Sequence, residues 1–269
     1  MTQTTNMKAR AGILLLVVAL SAAGDVNPAP GVYPSGFSVA IKLGGELYEA
    51  LPPKFADQLN AQTITLQPQD MPLVSPIATT EENRVVRQVS LSAGLIDLLN
   101  HICHAKAIDR VQPGFFDQYV KNLARLSPGD ILAPPPIVEP RFWTEDIIND
   151  QLSYFNQMIG LLTAINLAHH YLGHYAKYSA KMTGAGGQLT PINNFLTPAE
   201  WDVSVKAGVI DALNCALATE GPRALFDAVD RMPTRPPWTA YIIPQQTDIK
   251  KLNKQLVHYE DLFFHGKLN

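Results

Sequence analysis

Residues 144–182 constrain this chain more than any other stretch. Thr144 precedes Glu145 and Asp146, an N-cap followed by acidic residues in a first turn, and the helix-forming run ends before Gly184-Ala185-Gly186-Gly187. Upstream, Pro134-Pro135-Pro136 and Pro140 force an extended linker. The run therefore predicts one long helix. Near its end stands Ile165-Asn166-Leu167-Ala168-His169-His170-Tyr171-Leu172-Gly173-His174. On a continuous helix, His170 and His174 lie on one face a turn apart, so their imidazoles can converge on one ion. Two such histidines are half of a zinc site.

The segment Ala168-His169-His170-Tyr171-Leu172-Gly173-His174 resembles the H-E-x-x-H helix of zincin metallopeptidases, in particular the integral-membrane and periplasmic branch that reads roughly A-H-E-L-G-H. Both histidines and the Leu-Gly pair match, whereas the general-base glutamate is replaced by Tyr171. A phenol with a pKa near 10 is a poor acceptor for a proton from zinc-bound water at neutral pH. A second match lies upstream: Val89-Ser90-Leu91-Ser92-Ala93-Gly94-Leu95-Ile96-Asp97-Leu98-Leu99 is similar to the strand and apolar helix that precede the metal helix in that family. Downstream the family carries Glu-x-x-Ala-Asp, the glutamate on the metal and the aspartate steadying a ligand histidine. Laid on Glu200-Trp201-Asp202-Val203-Ser204, it implies Glu200 as third ligand and Ser204 in place of the aspartate, with Asp202 the alternative. The resemblance thus implies a zinc set of His170, His174 and Glu200, with Tyr171 where the base is missing. His169 and the pair His101 and His104 read as structural or surface histidines.

Lys8 and Arg10 precede the apolar run 13–20 and the small residues Ser21, Ala22 and Ala23, the parts of a secretory signal peptide cleaved after Ala23 or one residue later. This predicts residues 1–23 as signal peptide and 24–269 as a single exported domain, periplasmic or secreted, with no membrane span in the mature chain. Export permits a disulfide between Cys103 and Cys215, which sequence alone leaves open. A net charge of −3 with scattered basic residues gives no footprint for nucleic acid.

Along the chain, residues 25–40 read as a loose lead-in, 40–51 as a strand or short helix, 52–60 as a short helix and 62–67 as a strand. A proline-punctuated loop leads to a strand over 84–92, which Ser92 caps into a helix to about Asp109. Further helices are expected over 115–126, from the Thr197-Pro198-Ala199-Glu200 capping box to about Ala218, over 223–231 and over 245–264. The expected fold is α+β, mostly helical, with a small N-terminal sheet. Its expected function is that of an exported zincin-like protein impaired in peptidase chemistry and binding protein or peptide partners. The alternatives are a working hydrolase that takes its base from Glu139, Glu145 or Asp202, and a metal-free helical interaction protein.

Overall fold

The computed structural model describes residues 36–59, 63–126, 134–183, 189–232 and 234–268, so the segment read as a signal peptide lies outside the described residues. Their order is α1 (Gly36–Ala50), α2 (Pro53–Ala56), β1 (Ile64–Gln67), β2 (Val74–Glu81), β3 (Arg84–Ser92), α3 (Ala93–Asp109), α4 (Phe115–Leu126), α5 (Glu145–Tyr171), α6 (His174–Met182), α7 (Pro198–Asn214), α8 (Glu220–Asp230) and α9 (Ile249–Phe264). This is a predominantly helical α+β architecture with one small sheet, as expected. No described helix is long and apolar enough to cross a membrane.

Residues 40–50, ambiguous by alternation, belong to α1, because Ala40, Leu43 and Leu47 fall on one buried helical face. The sheet order is β1-β3-β2, with β1 parallel and β2 antiparallel to β3. β2 occupies what reads as a proline-punctuated loop. Pro76 is tolerated there because β2 is an outer strand, where a missing N–H breaks no ladder. Glu82 and Asn83, at φ 48° and 64°, form the two-residue turn into β3 that matches strand twist. On the outer side of β2, the Ala78 N–H donates to the Tyr175 hydroxyl of α6 at 2.9 Å.

Ser92 joins the sheet to α3. Its hydroxyl accepts from the Leu95 N–H at 3.0 Å and the Leu73 N–H at 2.8 Å, and donates to the Met71 carbonyl at 2.7 Å. The expected strand-to-helix cap is therefore also a tie to the loop before β2.

Helix α5 is the spine. Every residue from Met158 to Tyr171 is buried, the pattern of a helix enclosed on all sides rather than amphipathic. It packs against α1, α3, α7 and α8 and touches β2 and β3. Helix α7 comes close to it at Gly208, where a Cβ would stand 2.8 Å from the Ile165 backbone nitrogen. The cysteines are both free: Cys103 is buried with Sγ 3.3 Å from Met158 Sδ, and Cys215 caps α7.

Candidate functional site: a histidine cluster at a helix break

The long helix expected over 144–182 is interrupted. Leu172 closes α5, its N–H bonded to the Ala168 carbonyl at 2.9 Å, and Gly173 takes φ 79° before α6 begins at His174. Left-handed backbone suits glycine, so the Leu-Gly pair read as part of the metal helix is what ends it. His170 and His174 consequently do not sit on successive turns of one helix. The reorientation carries them to different partners.

His170 faces the sheet. Its Nε2–H donates to the Gln88 carbonyl of β3 at 2.9 Å, its ring lies 4.8 Å from that of Tyr175, and its buried Nδ1 has no hydrogen-bond partner. Burial lowers its pKa to about 4, only partly countered by the Gln88 carbonyl. His174 instead meets His169: their Nδ1 atoms are 3.3 Å apart, and Ser204 Oγ lies 3.2 Å from the first and 3.1 Å from the second. Ser204 is fully buried and donates its own proton to the Glu200 carbonyl at 2.8 Å. Its oxygen can therefore only accept from the histidines. His169 is buried, and that burial, reinforced by the neighbouring His174 and His170, lowers its pKa to about 3. Burial lowers His174 as well. All three rings are neutral at pH 7.

Glu200, the expected third ligand, is otherwise engaged. It completes the capping box anticipated from sequence: Oε2 accepts from the Thr197 N–H at 2.8 Å and the Thr197 hydroxyl at 2.9 Å. Lys177 Nζ donates to Oε1 at 2.7 Å and Tyr178 donates its hydroxyl to Oε2 at 3.0 Å. Desolvation pushes this carboxyl up, but the bonds from Lys177 and Thr197 outweigh it and hold its pKa at about 2. The expected zinc set of His170, His174 and Glu200 does not fit this arrangement: among the described residues no three His, Cys, Asp or Glu side chains come together as a metal-holding group.

At the position of the missing base, Tyr171 is built into the core. Its hydroxyl donates to Asp211 Oδ2 at 2.7 Å, and its ring stacks on Phe55 with centroids 4.2 Å apart and planes 15° from parallel. Burial pushes Asp211 up to about 6, with the Tyr171 bond acting in the opposite direction. The substitute bases lie elsewhere. Glu139 pairs with Arg141 at 2.8 Å. Glu145 opens α5, roughly 36 Å from His169 at about 1.5 Å per residue. Asp202 lines a separate groove with Trp201 and Lys251. His101 and His104 are structural, as read: His101 Nδ1 contacts the Asp97 carbonyl at 2.9 Å and His104 Nε2 donates to the Phe142 carbonyl at 2.7 Å.

His169 and Asp211 escaped the sequence reading in these roles, whereas Ser204, laid in the place of the aspartate that steadies a ligand histidine, lies 3.1 Å from His174 Nδ1. The signal for His169 was present in Gly173, whose tolerance for left-handed backbone shifts the pairing from four residues to five. No family model, curated protein or solved structure matches the chain.

Proposed function

We propose that this chain is an exported, zincin-like protein that does not hydrolyse peptides and serves as a binding or scaffold domain for a protein or peptide. The observation that carries this reading is the state of Tyr171. Where the resembled peptidases place a carboxylate beside the reacting water, this chain places a phenol that already donates to Asp211 and is covered by Phe55. Its hydroxyl is held against Asp211 and its ring against Phe55, and a phenol is in any case a weak proton acceptor at neutral pH. Losing a positioned general base costs about 10²- to 10⁴-fold in rate. The imidazoles that would face substrate are likewise neutral, buried and bonded within the fold. A partner has a recess to use on the helical side: a groove of about 260 Å³ between the starts of α7 and α9, with Leu196, Trp201 and Lys251 in its wall.

Purified protein lacking residues 1–23 is expected to leave unfolded casein and mixed peptide libraries intact, with or without added zinc. Hydrolysis that a chelator abolishes would overturn the proposal. A companion prediction concerns the site itself. Tyr171→Phe leaves buried Asp211 without its donor and is expected to cost about 1–3 kcal/mol in urea unfolding. Tyr171→Glu, which sets a second carboxylate beside Asp211, is expected to cost about 3–5 kcal/mol. Equal stability of Tyr171→Glu and the natural chain would show that Tyr171 is not a core residue.

A further inference from the structure

The triangle formed by His169 Nδ1, His174 Nδ1 and Ser204 Oγ has sides of 3.3, 3.2 and 3.1 Å. Two ligands about 2.05 Å from a tetrahedral zinc ion stand about 3.3 Å from each other. The three atoms thus have the spacing of one face of a zinc coordination tetrahedron. We infer that His169, His174 and Ser204 form a zinc-binding face, distinct from the pair His170 and His174 that helical spacing selects.

The donor chemistry agrees with the spacing. Two neutral imidazoles and a hydroxyl suit a borderline ion such as zinc; calcium and magnesium require several oxygen donors. Ser204 commits its proton to the Glu200 carbonyl, so its lone pairs are turned to the histidines. Without an ion, any Nδ1–H in the triangle donates to Ser204 Oγ or to the facing Nδ1. With both rings protonated at Nε2 instead, the triangle presents three lone pairs at once. The negative charge nearest both rings is that of Glu200, whose field acts on His169 and on His174. The break at Gly173 is the structural cause, since it swings His174 off the axis of α5 and onto His169. Nothing in this site depends on whether the chain is a peptidase.

Cobalt(II) and zinc titrations of the purified chain test it. One equivalent of cobalt is expected to develop the intense visible bands of a tetrahedral complex, displaced by zinc. His169→Gln and His174→Gln should each weaken binding about 100-fold or more, while His170→Gln leaves it within about threefold. Absence of binding to the natural chain overturns the inference. So does binding that His170→Gln abolishes and His169→Gln spares, which would place the ion on the helical pair. If a glutamine variant does not fold, the natural chain alone decides: zinc must shift the ¹⁵N resonances of two Nδ1 atoms, and unchanged resonances overturn the site.

Discussion

Acidification from pH 7 to 4.5 is expected to remove about 3 kcal/mol of folding stability. His169 and His170 are held neutral, at about 3 and about 4, by burial, whereas unfolded histidine titrates at 6.5. A base whose folded pKa is depressed makes the unfolded chain bind more protons below 6.5, so stability falls as pH falls. Each such histidine costs about 1.4 kcal/mol per pH unit, or about 5 kcal/mol for the pair over two units. Asp211 acts in the opposite sense. Its folded pKa, about 6, lies above the ordinary 3.8, so the folded state binds more protons in between, and its protonation returns about 2 kcal/mol by pH 4.5. Against a total of about 5–15 kcal/mol, the net loss is large. Urea unfolding at steps between pH 7 and 4.5 measures it. His170→Gln should flatten the slope by about 1.4 kcal/mol per unit, and Asp211→Asn should steepen it between pH 6 and 4.5. A flat profile for the natural chain would show that these histidines protonate freely in the folded state.

Gly208→Ala is expected to cost about 3 kcal/mol. The added Cβ would stand 2.6 Å from Ile165 Cγ1, 2.8 Å from its backbone nitrogen and 3.0 Å from its Cα. A side chain can turn aside, but helix backbone cannot, so α7 has to move off α5. One turn along from that contact, Ser204 of α7 meets His169 of α5, and the same displacement lengthens this pairing. The expected result is a lower urea midpoint together with altered ring resonances of His169 and His174. Gly45→Ala on α1 is the control. Nothing lies within 4 Å of its added Cβ, and helix propensity predicts a gain of about 0.5–1 kcal/mol. If Gly208→Ala melted like Gly45→Ala, the close approach of α5 and α7 would be refuted.

Much of the fold was legible because local chemistry and tertiary role agree. The strand over 84–92, the Ser92 cap, the helix over 115–126 and the Thr197–Glu200 capping box all appear where their residues place them. β2 was not legible, since Pro76 argues against any strand whose outer side is not yet known. The start of α8 was hidden in the same way: Gly221-Pro222 reads as a break, yet proline fits a first helical turn, and the helix begins at Glu220. At the histidines, a period of four is the correct expectation for a continuous helix. One residue at φ 79° changes which imidazole meets which, and that depends on backbone geometry that a spacing rule cannot register. Tyr171 was recognised as the departure from the motif, but its attachment to Asp211, forty positions on, is a tertiary fact.

The contact between Tyr175 and Ala78 has a consequence for self-association. A side chain from α6 occupies the N–H that another chain's strand would need, and Pro76, two residues back on the same side, offers no donor at all. From Pro76 to Ala78 the outer side of β2 has no N–H left for a fourth strand, so strand-by-strand polymerisation of this protein lacks its donors at the middle of that edge.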